Sequence, residues 1–187
     1  QPAQADSVFK PAPAPYEHPR ILFNADELPA IKARLDNDVL GSRIRTYVMP
    51  SWIAGAGSLV REIAGLDLSG GANLGHVQDY LTNNEQRNIA FFFMALDGVM
   101  YSNSVNRTDA INGIVNYAKI INASKVLEPG RSLWTSNQWD LGVGWTFGGA
   151  GFALAYDLLY NDMTAGQQAE VRLALSNATT GRRSWGM

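Results

Sequence analysis

The stretch Ile89 to Leu96 (IAFFFMAL) contains no polar residue, and Phe152 to Tyr160 (FALAYDLLY) contains a single charged one, Asp157. A helix that is apolar around its circumference must be buried on nearly every side. Each stretch therefore needs neighbours in more than one direction, which a small three-helix bundle does not supply. Antiparallel helical hairpins in two layers, an inner set wrapped by an outer one, do supply them. Both stretches fall far short of the roughly 20 apolar residues that span a bilayer, so no transmembrane helix is expected.

The rest of the chain agrees with an all-α fold. Asn24 with Glu27, Thr82 with Glu85 and Thr164 with Gln167 each set a short capping side chain three residues before an acid or amide, the pattern of a capping box. Apolar spacing predicts helices over 25–36, 41–49, 52–65, 83–102, 107–123, 138–160 and 165–178, with no strand-like alternation competing. No fixed-period repeat marks a solenoid. A length of 187 residues suits one domain or part of one. Charged residues make up 17%, against about 25% in an average domain, which is little charged surface for an independent unit.

Composition removes several functional classes. There is no cysteine and there are only two histidines, so a thiol nucleophile, a disulfide framework and a Cys/His zinc site are excluded, and no cofactor is implied. A net charge of -2 offers no basic surface for nucleic acid or anionic lipid. Residues 1–20, rich in Pro and Ala and starting at Gln1, resemble the lead-in of a mature exported protein, which predicts a secreted or periplasmic location for a domain over 21–187. Phosphate-loop, zincin and nucleophile-elbow motifs are absent.

Saccharide chemistry fits better. In RSLWTSNQWDLGVGW, residues 131–145, three tryptophans crowd beside two amides. Indole faces stack on sugar rings and amides bind hydroxyls or a carboxylate, so Trp134, Asn137, Gln138 and Trp139 are expected to line a saccharide cleft. The competing reading makes the tryptophans core and Asn137 a helix cap. Arg182, Arg183 and Trp185, expected in a loop after the last helix, could pair with carboxylates at the rim. His76, with Tyr80 near it in a glycine-bracketed loop, is the local candidate for acid or base work, and a solvated loop histidine is the alternative. His18 reads as structural, and Asp157 as a buried, hydrogen-bonded acid. Asp140, Asp157 and Asp162 leave paired-carboxylate hydrolysis open. Five glycines in 142–151 suggest close helix packing through Gly144 and Gly148, or a thin face under a ligand. Asn106, Asn122 and Asn177 form N-glycosylation sequons.

HPRILFNADELPAIKARL (18–35), NIAFFFMALDGVMY (88–101) and WDLGVGWTFGGAGFALAYDLLYNDMTAGQQAEVRLAL (139–175) follow one another in an order that resembles the polysaccharide lyases of the heparinase II/III-like and alginate-lyase superfamily. The resemblance implies an incomplete (α/α) toroid, of which this chain supplies the first hairpins. It also implies β-elimination next to a uronic acid in an anionic polysaccharide such as alginate or a glycosaminoglycan. That family's catalytic Asn/His pair and Tyr generally follow the matched region, so they are expected beyond Met187, with the remaining part of the domain as a partner. A glycoside hydrolase on the same toroid and a non-catalytic saccharide-binding fragment are the alternatives.

Overall fold

The computed structural model describes residues 17–69, 84–124 and 149–183, with side chains over 17–69, 86–122 and 150–176. Regular structure among the described residues is all helical, without a strand. After a 3-10 turn at Ala25–Glu27, helix α1 covers Leu28–Asn37. The expected capping box forms at its start, where Glu27 Oε2 accepts the Asn24 N–H at 2.8 Å. Pro29 sits in the first turn of α1, where its missing N–H costs no hydrogen bond.

Helix α2 (Val39–Arg43), a π turn (Ile44–Val48) and α3 (Met49–Ala64) follow without interruption. The break expected between 49 and 52 is therefore absent. Pro50 lies in the first turn of α3, and the wider π turn before it closes through Met49 N–H to Ile44 O, so the helical path continues past the proline.

Helices α4 (Asn84–Met100) and α5 (Ser104–Ser124) form an antiparallel hairpin across residues 101–103. Arg107 reaches back to the Gly98 carbonyl with Nε at 3.1 Å and Nη2 at 2.6 Å. Helix α5 begins at 104 rather than 107 because Asn103 caps it: its Oδ1 accepts the Asn106 N–H at 3.2 Å. Ser102 makes the turn at φ 56°, in the left-handed region.

Helix α6 (Gly149–Leu159), a 3-10 turn (Tyr160–Asp162) and α7 (Ala165–Arg183) complete the described chain. The Thr164 and Gln167 capping box forms both of its bonds, at 2.9 and 3.3 Å. The third expected box, Thr82 with Glu85, lies outside the described residues. Helix α7 runs beyond the expected end at 178, through Gly181, since one glycine costs a helix only about 1 kcal/mol and no proline stops it. Arg182 and Arg183 are thus its last two residues and not part of a following loop.

Helix α4 packs on α3, α5 and α6, and α5 packs on α3, α4, α6 and α7. No residue of 89–96 or 152–160 is exposed, as their lack of a polar face requires. The centre is a triangle of rings from three helices: Phe91, Tyr117 and Phe152, with centroids 5.7 to 6.1 Å apart. Arg87 is buried beside it, its guanidinium 5.9 Å from the Tyr117 ring centre. Close approach of α6 to α4 occurs at Gly151, whereas Gly144 and Gly148 lie outside the described residues.

A polar knot ties the end of α3 to the hairpin. Arg61 pairs with Asp109 at 3.0 Å and donates to Asn106 Oδ1 at 3.1 Å, while Asn106 Nδ2 donates to Asp97 at 2.7 Å. Asn106 is buried, so this sequon asparagine serves the fold. Large apolar side chains are exposed mainly around α2 and the π turn, including Val39 at 76% and Tyr47 at 73%.

Candidate functional site

Of the residues expected to act on a saccharide, His76, Tyr80, Trp134, Asn137, Gln138, Trp139 and Trp185 lie outside the described residues, as does Asp140. Arg182 and Arg183 are placed on α7 by their backbone alone. What the described chain does assemble is a junction between the opening segment and the end of α6, where hydrogen-bond donors meet a buried acid.

Asp157 stands near the C-terminal end of α6, in a helix whose other residues are apolar, and is only 3% exposed. A buried carboxylate needs donors. It receives them from a segment 139 residues earlier: His18 Nδ1 donates to Oδ1 at 2.6 Å. The Arg20 and Ile21 backbone N–H groups both donate to Oδ2 at 2.8 Å. The imidazole lies flat on the Tyr160 ring, centroids 3.9 Å apart, and meets Tyr156 edge-on at 6.2 Å. Asn161 Nδ2 donates to the His18 carbonyl at 3.0 Å. These hydrogen bonds and ring contacts to the opening segment all come from a run of six residues, 156–161.

A histidine oriented by a carboxylate through Nδ1 is the arrangement used in acid–base dyads. Here the ring is covered on one face by Tyr160, its side chain is only 14% exposed, and the carboxylate is shared with two backbone donors. The group is built to fasten the chain, in agreement with the structural reading of His18 and Asp157. Asp157 is the buried, hydrogen-bonded acid that its apolar helix predicts, and His18 is its partner, a pairing that neither local sequence states. The signal was present: a lone acid in an apolar helix requires donors, and a His-Pro-Arg opening offers a side chain and free backbone N–H groups.

Base chemistry by tyrosine finds no support in three of the described side chains. Burial pushes the Tyr117 and Tyr156 hydroxyls above the ordinary tyrosine range. Tyr101 is pushed up to about 12, first by burial and then by its hydrogen bond to Asp36 at 3.0 Å. All three hold their protons more tightly than a free tyrosine, the reverse of what a base requires. Lys32 and Arg45 flank the Tyr101 ring, each 4.9 Å from its centre, and both pair with Asp36, at 2.6 and 3.0 Å. The Lys32 hydrogen bond leads in holding the Asp36 carboxyl below its usual range.

This cluster gives a pH prediction at the alkaline end. Folding raises the Tyr101 pKa, so its contribution is complete below the ordinary value of 10.0 and fades as pH rises through about 12. Unfolding followed against pH should show this loss in the wild type, and a Tyr101→Phe variant should lack that component. An identical alkaline decline in both proteins would count against the part-buried Tyr101–Asp36 bond.

Among the described residues no three His, Asp or Glu side chains gather as metal ligands, and no described helix is long and apolar enough to cross a membrane. No known protein family, curated protein or solved structure matches this chain.

Proposed function

We propose that this chain is the N-terminal part of an (α/α)-toroid polysaccharide lyase, secreted or periplasmic, that cleaves a uronate-containing anionic polysaccharide by β-elimination. The observation that carries the reading is the junction at Asp157. Two segments that carry the family resemblance, HPRILF at 18–23 and AYDLLY at 155–160, are bonded to each other through His18, Arg20, Ile21 and Asp157. Motifs that resemble a family in order and also meet in space support a shared architecture better than either does alone. The α4–α5 hairpin and the exposed apolar side chains around α2 fit a domain whose further hairpins lie elsewhere.

In that reading the reaction has three tasks. The uronate carboxylate is neutralised, a base removes the proton α to it, and an acid protonates the departing glycosidic oxygen. Trp134, Asn137, Gln138 and Trp139 are proposed to line the cleft, with Arg182, Arg183 and Trp185 near its rim. The base and acid are assigned to the remaining part of the domain, with His76 and Tyr80 as the local candidates.

The decisive measurement is product chemistry. Elimination leaves a conjugated unsaturated uronate that absorbs in the ultraviolet, and hydrolysis does not. Full-length protein incubated with alginate, hyaluronan, chondroitin, heparin and ulvan should generate that absorbance with at least one of them. New reducing ends without it would identify a hydrolase, and binding without either would identify a non-catalytic module. A Trp139→Ala variant should lose most turnover while keeping the wild-type unfolding midpoint; unfolding instead would make Trp139 a core residue.

A further inference from the structure

Asn112, Asn116 and Lys119 lie one helical turn apart on α5, so they share a face of that helix. Gln167 and Glu170 bear the same relation at the start of α7. Together with Ala64 at the end of α3, these side chains line a groove of about 450 Å³, within the size range of small-ligand sites.

Three of the polar side chains are fixed at one end and open at the other. Asn116 Nδ2 donates to the carbonyls of Ile63, Ala64 and Leu66 at 3.1 to 3.4 Å, satisfying the C-terminal end of α3. Its Oδ1 has no partner among the described residues. Gln167 Oε1 accepts the Thr164 N–H at 2.9 Å, which leaves its amide N–H₂ available. Glu170 Oε1 accepts from Asn122 Nδ2 at 2.7 Å, which leaves Oε2. The partners fix which end of each amide is which, since carbonyls demand the N–H₂ and a backbone N–H demands the oxygen. Asn112 and Lys119 are exposed and make no hydrogen bond or ion pair among the described residues.

We propose that this groove binds an acidic sugar unit, its carboxylate on Lys119 and its hydroxyls on Asn112, Asn116, Gln167 and Glu170. Sugar hydroxyls both donate and accept. The groove offers two acceptors in Asn116 Oδ1 and Glu170 Oε2, a donor in Gln167, and both kinds in Asn112. For the negative group, Lys119 adds an ammonium that has no partner among the described residues. Because the anchored ends are already ordered, less side-chain freedom is lost on binding than at a set of free surface residues. The choice of a uronate as ligand rests on the lyase reading; the groove contains none of the residues proposed for the cleft.

The test reads Lys119 directly. The chain is acylated with an N-hydroxysuccinimide ester, with trimannuronate, mannotriose or no saccharide present, and the labelling rate of each lysine is followed by peptide mass spectrometry. At about ten times Kd roughly a tenth of sites remain free, so trimannuronate should slow acylation of Lys119 about tenfold. Mannotriose should protect much less, and Lys32, already paired with Asp36, serves as the internal reference. Asn112→Ala, at an exposed position, should shift the protection curve to several-fold higher trimannuronate. Equal protection by the neutral sugar, protection unchanged in Asn112→Ala, or no protection at all would overturn the proposal. Ultraviolet absorbance of trimannuronate or polymeric substrate in parallel samples separates the two readings. Product without protection removes the groove site and leaves the lyase, whereas protection with no product from full-length protein on any of the polymers leaves the site and removes the lyase.

Discussion

An Asp157→Ala variant should lose about 3 to 4 kcal/mol of stability and melt roughly 10 °C lower. The carboxylate is buried and accepts three charge-assisted hydrogen bonds, from His18 Nδ1 and from the Arg20 and Ile21 N–H groups. Each such bond contributes about 1.5 to 3 kcal/mol, but they share one acceptor and the exposed backbone donors regain water, so the sum is smaller than three independent bonds. Asp157→Asn should recover part of the loss, because its amide keeps one oxygen and turns a donor toward donors on the other side. His18→Ala should cost less than either, since both backbone bonds to Oδ2 survive. Amide exchange locates the effect: Arg20 and Ile21 should lose protection in Asp157→Ala while the central residues of α4 and α5 retain most of theirs. A variant with wild-type melting and unchanged exchange at Arg20 and Ile21 would show that the opening segment is held by something other than this acid.

The same junction shows how much the sequence carries and where it stops. Local signals were legible because they depend on a few adjacent residues. The boxes at Asn24 and Thr164 form as their spacing predicts, and the apolar runs 89–96 and 152–160 leave no residue exposed. Boundaries failed where geometry compensates for composition. Apolar spacing ends one helix at 49 and starts the next at 52, yet the π turn at Ile44–Val48 carries the helical path through Pro50. Asn103 was passed over as a cap, and Gly181 did not end α7. The pairing of His18 with Asp157 was illegible for a different reason. No local pattern states which of many donors will reach a buried acid 139 residues away; packing of α6 decides that. The groove beside Lys119 is of the same kind. Asn116, Gln167 and Glu170 read as surface polar residues until the ends of α3 and α7 show which half of each is already committed. The residues expected in the saccharide cleft rest on chemistry alone, flat rings and amides near one another in sequence, and chemistry of that sort suggests a ligand class without fixing a geometry.

Gly151→Ala should destabilise the protein by about 3 kcal/mol or more, although alanine is the better helix former by about 1 kcal/mol. A Cβ at this position would stand 2.1 Å from the Asn88 carbonyl oxygen and 2.6 Å from its carbon. Those are backbone atoms of α4, held in the helix ladder, so neither can turn aside as a flexible side chain would. The only relief is to move α6 away from α4, and that separation opens space around Phe152 where it meets Phe91 and Tyr117. Asp157, six residues further along α6, would move with it, so the displacement also strains the bonds to His18, Arg20 and Ile21. The control is Gly55→Ala in α3, where an added Cβ has nothing within 4 Å. That change should raise stability by about 0.5 to 1 kcal/mol through helix propensity and a less flexible unfolded chain. Denaturant unfolding of both variants compares the two effects directly. A falling midpoint for Gly151→Ala beside a rising one for Gly55→Ala is the expected result. Equal midpoints would mean that α6 does not approach α4 through Gly151, and the glycine-rich run before it would then need the other explanation, a thin helix face beneath a ligand.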